Sequence, residues 1–558
     1  MKRIGTAFLI ILCQFALKSY GQFNLPNPIL SGFYPDPAIC KVGSDYYVVN
    51  STFSYFPGIP VMHSKDLKNW KQIGNVISRP SQMDFMGERV TRGLFAPAIN
   101  FHKGLFYVTC TDIDHGGNFV VTAKNPAGPW SDPVWLKEVK GIDPSLFFDS
   151  DKAYIIYNSN PPENKSLYDG HRTLRMYEFD PINLKVVGEE TLVVNGGVDI
   201  SKKPVWIEGP HIYKRDGWYY VMAAEGGTAV NHSEVILRSK NVRGPYIPYE
   251  KNPILTQRHL DPNRKNPVSS TGHADLVEGP DGKTYAIFIA VRPYEGDYYN
   301  TGRDTFIAPV EWVDGWPIIN YGKEEVQYSY PVSWKEVKQQ GDHPLNGNFS
   351  YTLDFNETAL NHEYLFLRTH NPSWYSLQKK KGSLTLNLLP ETILEAGNPA
   401  FVGKRQQHLT CVASTELNFS AKAENEKAGL TIFQSETNFY YICKSLADGK
   451  DVIQLYKGNR QSRKMDLIKQ VELNTPSPSV QLKINADKDK YSFSYATKKD
   501  KWELLEKDVD GKYLSTRVAG GFVGALFGMY ATSDGKASSN TASFNWFSYT
   551  GNDETFKN

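Results

Sequence analysis

Residues 45–52 read Asp-Tyr-Tyr-Val-Val-Asn-Ser-Thr, DYYVVNST, an aromatic and β-branched run ended by small polar residues. That composition suits a strand. Runs of the same kind return as LFYVTCTD from Leu105, KAYIIYNS from Lys152, GWYYVMAA from Gly217 and KTYAIFIA from Lys283. Each is followed by a second strand-like run: IPVMHSKD, NFVVTAKN, TLRMYEFD, EVILRSKN and TFIAPVEW. The starts lie 60, 47, 65 and 66 residues apart, and long amphipathic helical patterns are nearly absent. The expectation is an all-β fold beginning with a five-bladed β-propeller. A large irregular sandwich is the competing arrangement.

About ten residues upstream of each first run the chain reads YPDPAIC, LFAPAIN, GIDPSLF, WIEGPHI and TGHADLV. Aligned on their small or proline residues, these segments place Asp36, Ala96, Asp143, Glu208 and His273 at equivalent positions. In a propeller the innermost strands face the axis, so the five side chains would converge there. One Asp-Pro is ordinarily a turn; three acids on one ring are a different object. Glu208 also lies among apolar and aromatic neighbours in VWIEGPHIY, where an acid is costly unless paired or used.

Like charges held close cannot all ionise, so their pKa values spread: one acid stays protonated while another stays a carboxylate. Glycoside hydrolysis needs that pair, an acid for the leaving oxygen and a base or nucleophile on the opposite face. Glu208, with its apolar flanks, is the expected acid and Asp36 the base. Asp143 would orient Glu208 and tune its proton affinity. Sequence alone leaves the two Asp roles interchangeable.

Composition bounds the partners. A chain of 558 residues exceeds one ordinary core. An aromatic content of 13% supplies flat faces for sugar rings as well as strand residues. The N-terminus, MKRIGTAFLIILCQFALKSYGQ, has basic Lys2 and Arg3, an apolar run from Ile4 to Leu17, and small Ser19 and Gly21 before Gln22. This reads as an export signal over residues 1–21, too short for a membrane span, sending the mature protein to the periplasm or beyond. Bulky Ile11 and Leu12 argue against lipid attachment at Cys13. Without the leader the chain carries 59 Lys+Arg against 60 Asp+Glu, a balance that points to neither nucleic acid nor anionic lipid. Cys40, Cys110, Cys411 and Cys443 lack metal-type spacing, and a Cys411–Cys443 bridge is left open.

The stretch NPILSGFYPDPAICKVGSDYYVVNSTFSYFPGIPVMHSKDLKNW, with IDPS at Asp143, IEGPH at Glu208, AEGGT, TGHADLVE and GRDTFIAPVEW, resembles glycoside hydrolase family 43. The likeness is to its two-domain β-xylosidases and α-L-arabinofuranosidases. It implies Asp36 as general base, Asp143 as pKa modulator and Glu208 as general acid. It further suggests Phe53 as a wall of the sugar pocket and Arg292, in AVRPY, as a ligand for sugar hydroxyls. The plain alternatives are a core role for Phe53 and an ion pair between blades for Arg292. His273 would hydrogen-bond in the pore; no cofactor is required, and a pore-bound Ca²⁺ there is left open. Many relatives carry Trp-Ala-Pro where this chain has Phe95-Ala96-Pro97, so a stacking wall is kept with a smaller face. Inversion, which the resemblance implies, needs roughly 6.5–9.5 Å between base and acid to admit a water.

The propeller pattern ends near Pro331, and KQQGDHPLNG reads as a linker. From about Phe349 short alternating strands predict a jelly-roll, concanavalin-like β-sandwich, giving domains at 22–335 and 345–558. FVGKRQQHLT and GGFVGALFGMYAT share the resemblance. The sandwich is expected as a cap, with Phe522 bordering the pocket so that only a chain end enters. The implied substrate is a terminal β-D-xylose or α-L-arabinofuranose on hemicellulose oligosaccharides. The competing readings are a retaining fructan hydrolase, whose WMNDPNG-type signature is absent, and a catalytically silent sugar-binding propeller.

Overall fold

The computed structural model describes residues 23–338, 341 and 343–557. The leader expected at residues 1–21 lies outside the described residues. Among them, regular structure is almost all β, with one four-residue α-helix at Thr516–Ala519.

The repeated runs fold as read. Each first run is the second strand, and each second run the third, of an antiparallel sheet. The first sheet is Ala38–Val42, Asp45–Val49, Gly58–Ser64 and Lys71–Ile77. The second runs from Ala98–His102 to Val134–Trp135, and the third from Gly141–Asp149 to Lys185–Asn195. Strands Glu208–Arg215 and Ser269–Glu278 open two more. The central strands are buried nearly throughout, as strands covered on both faces must be: Leu105–Asp112 and Thr284–Val291 expose only their first residues.

Neighbouring sheets are tied to one another through their first two strands. Thr109 Oγ1 donates to the Pro144 carbonyl and Ser145 Oγ to that of Pro210. Tyr213 OH donates to Asp275 Oδ1, and Asp275 Oδ2 accepts the Ile39 N–H, joining the last of these sheets to the first. At the chain's entry, Phe23–Pro26 pairs with Ser329–Val332.

Beyond the linker lie an eight-stranded and a six-stranded sheet. Strict burial alternation along Thr410–Asn418 is the period-2 signature of a strand with one face on the core. Lys427–Ser435 is buried along its whole length. Cys411 and Cys443 sit on different sheets and are both free, so the bridge left open by the sequence is not made.

Candidate active site

A cavity of about 320 Å³ is lined by Asp36, Ala96, Asp143, Glu208 and His273, the five residues aligned from the sequence. Phe53, Phe95, Ile142, Val205, Trp206, Gly227, Thr228, Arg303 and Phe522 complete its wall.

The backbone explains how short motifs aim these side chains. The pairing with the second strand is interrupted between Ile142 and Ser145, Glu208 and His211, and Gly272 and Asp275. Such bulges re-aim side chains beside functional sites. Asp36, Asp143 and His273 share a left-handed conformation, with φ of 49°, 56° and 54°. Gly209, with φ 57°, holds that conformation in the fourth sheet. The alignment therefore slips by one: Glu208 enters from the residue before the ring position. Gly209 is required there, because a Cβ would lie 2.7 Å from His273 Cε1.

The three carboxyls are buried and differently partnered. Arg303 donates to Asp36 through Nη1 at 2.7 Å and Nη2 at 3.2 Å, and Ser51 Oγ donates to the same carboxylate. Burial alone would push Asp36 up, but Arg303, with His273 and Ser51, holds it below the usual carboxylate value. Burial and then the Asp36 charge push Asp143 up to about 7, against the Gly209 N–H that it accepts at 3.2 Å. That bond ties Asp143 to the residue following Glu208. Burial, followed by the charges of Asp143 and Asp36, drives Glu208 well above its ordinary value. His273 is pushed down to about 4 by burial. The trio thus combines one ionised carboxylate with two acids that hold their protons more tightly.

Rings close one side. Phe53 stacks between Phe33 and Phe522 at centroid distances of 6.0 and 5.8 Å, and Phe95 meets Phe53 edge-on at 5.6 Å. Phe53 is therefore both pocket wall and core, being 2% exposed. Phe522 comes from the sandwich, its N–H donating to Thr91 Oγ1 at 2.8 Å.

Arg292 is a correction. It lies outside the cavity lining, bonded to Asp304, Asp553 and the Gln407 carbonyl. Four of the five N–H donors of this buried guanidinium are spent on two carboxylates and a carbonyl, and it clamps the first domain to the sandwich. Arg303, eleven residues on, is the arginine in the cavity. Thr228 and Trp206 were also missed; the Trp206 side chain hydrogen-bonds Glu208, and Arg172 lies 3.9 Å over its ring. Among the described residues, the grouping of three His, Cys, Asp or Glu ligand atoms close enough for one cation is Glu88, Asp112 and His115. His273 is not in it.

An aromatic-walled pocket with acids of split proton affinity holds the groups that hydrolysis of a glycosidic bond requires. The glycosyl hydrolases family 43 model matches residues 25–317, and the β-xylosidase C-terminal concanavalin A-like domain matches 352–550. A Butyrivibrio fibrisolvens xylosidase/arabinosidase is 37% identical over 93% of this chain and 98% of its own length. A non-reducing end α-L-arabinofuranosidase of Bacteroides ovatus is 37% identical over 95% and 96%. Among solved structures, the Bacteroides ovatus xyloglucan PUL GH43B protein matches with a TM-score of 0.84 at 37% identity, covering 94% of this chain and 99% of its own. A GH43_12 protein from a capybara gut metagenome matches at 0.85 and 40%, covering 91% and 95%. The chain belongs to glycosyl hydrolase family 43 and carries the concanavalin A-like C-terminal domain of its β-xylosidases.

Proposed function

We propose that this protein is an exported, inverting, exo-acting glycoside hydrolase that releases one terminal pentose, β-D-xylose or α-L-arabinofuranose, from hemicellulose oligosaccharides. The observation that carries it is the cavity of about 320 Å³, which holds Asp36, Asp143 and Glu208 together and is walled by Phe522 from the other domain. A pocket of that size suits one sugar ring at a chain end.

Asp36, kept ionised by Arg303, takes a proton from water as that water attacks the anomeric carbon. Glu208, which holds its proton, delivers it to the leaving oxygen. Asp143, bonded to Gly209, positions Glu208 and, when ionised, raises its proton affinity. Arg303 and Phe53 are the proposed contacts for the sugar's hydroxyls and face. The ties between the inner strands of neighbouring sheets support a closed ring of five blades for the first domain, with boundaries at 22–335 and 345–558.

A panel of p-nitrophenyl pentosides identifies the sugar, and proton NMR of the first-formed product reads its anomer. The expected result is turnover of a β-xyloside, an α-L-arabinofuranoside or both, with inverted configuration. Retained configuration excludes the single displacement, and no turnover of any pentoside favours a sugar-binding propeller.

A further inference from the structure

Directly behind the aromatic wall, Glu88, Asp112 and His115 bring a ligand atom each to within 4.8 Å of one another. The two carboxylate side chains are 2% and 1% exposed, while the imidazole is 49% exposed. Glu88 Oε2 accepts from Ser54 Oγ at 2.6 Å. Glu88 Oε1 and Asp112 Oδ2 accept no hydrogen bond among the described residues. What faces them is His115 Nδ1, in contact with Glu88 Oε1 and 3.7 Å from Asp112 Oδ2.

Two buried carboxylates sharing one imidazole nitrogen are short of positive charge. The neighbouring arginines are committed elsewhere: Arg92 is bound through Nε and Nη2 to Asp114, and Arg368 to the Glu88 and Gly397 carbonyls and Glu436. An imidazole lone pair aimed at two carboxylates is repelled unless a proton or a metal ion lies between them. Gly93, with φ 80°, keeps the space open: a Cβ there would lie 2.6 Å from Glu88 Oε2. The half-exposed His115 offers a way in from solvent.

The geometry points to a divalent-cation site formed by Glu88, Asp112 and His115. One imidazole with two carboxylates suits Zn²⁺ or Mn²⁺ better than Ca²⁺, which prefers an all-oxygen shell of six or more ligands. Water would fill the remaining positions. The site has a lever on the pocket: Ser54 follows Phe53, and Leu94, before Phe95, bridges to both Phe53 and Asp112. A cation would fix the two segments that carry the aromatic wall, lowering KM for the sugar and leaving the acids untouched.

The test is calorimetric titration of chelator-treated full-length protein with Zn²⁺, Mn²⁺ and Ca²⁺ in separate arms, on wild type, Glu88→Gln and His115→Ala. Melting temperatures are read with and without each ion. His115→Ala changes a half-exposed side chain and keeps the fold testable if Glu88→Gln does not. The expected result is one Zn²⁺ or Mn²⁺ per wild-type chain with a raised melting temperature, and affinity at least tenfold weaker in either variant. No binding by wild type overturns the site and leaves a protonated His115 as the only counter-charge. Equal binding by wild type and variants also overturns it, placing the ion elsewhere. Both outcomes are independent of glycosidase activity.

Discussion

Replacing Arg303 by Met tests how Asp36 is kept ionised. Arg303 makes two hydrogen bonds to Asp36 inside a site where both side chains are under a tenth exposed. An opposite charge at that range depresses a carboxyl by about 1–3 pKa units, and each unit corresponds to about 1.36 kcal/mol. Without Arg303, burial sets the Asp36 pKa, so it rises by about that amount. The base must be ionised, so the acid limb of kcat/KM moves up by about 1–3 units. The alkaline limb, which reports Glu208, also moves up, because Arg303 holds that group down as well. The sign for stability agrees. A depressed Asp36 contributes stability above its unfolded pKa and loses it as pH falls through the folded one; the variant lacks this contribution. The assay is kcat/KM on a pentoside from pH 3 to 9, with melting curves taken alongside. Arg303→Lys, which keeps a charge, should shift the limb less. An unmoved acid limb in the Met variant, with only KM raised, would refute the reasoning and leave Arg303 as a sugar ligand alone.

Other substitutions separate wall, clamp and ring. Phe522→Ala removes the ring stacked on Phe53, a contact of about 0.5–1.5 kcal/mol. KM should rise several-fold with kcat within about threefold, and chromatography of the products should show whether internal bonds become accessible. Arg292→Ala strands the buried carboxylates of Asp304 and Asp553 and should cost about 3–5 kcal/mol in unfolding free energy. KM should stay unchanged wherever the variant is folded, a split between denaturation and steady-state kinetics that a sugar ligand would not give. Gly209→Ala puts a Cβ into the His273 ring and displaces Glu208. Misplacement of about 1 Å is worth about 100-fold in rate, so kcat should fall by that order while circular dichroism still reports the fold.

The sheets were legible because each repeats one local rule: a small or proline residue, then two apolar strands with a turn between. The ring acids were legible for the same reason, since Asp-Pro at 36 and 143 stands at the opening of a sheet, with the aspartate in the same left-handed conformation. The slip at Glu208 was hidden because Gly209-Pro210 mimics Asp-Pro by composition, and only backbone conformation tells them apart. Arg292 was named and Arg303 missed for a reason of distance. Arg303 meets Asp36 across 267 residues, and Arg292 meets Asp553 across 261. Neither pairing has a local pattern. Only the structure shows that Arg303 follows a Gly302 whose φ of 80° and close approach to Gly524 place it at the junction with the sandwich. The same junction delivers Phe522, which only the resemblance had suggested. The Glu88–Asp112–His115 cluster joins a loop residue to the end of the strand Leu105–Asp112 and the turn after it, and had no signal of its own.

The most direct test is the rate of Glu208→Gln on two pentosides, one with a dinitrophenolate leaving group and one with a sugar. If Glu208 is the proton donor, the sugar substrate should slow by about 10²–10⁴ while the activated one, whose leaving group needs no proton, slows by under about tenfold. Equal losses on both substrates would contradict the assignment, and with it the division of labour among the three carboxyls.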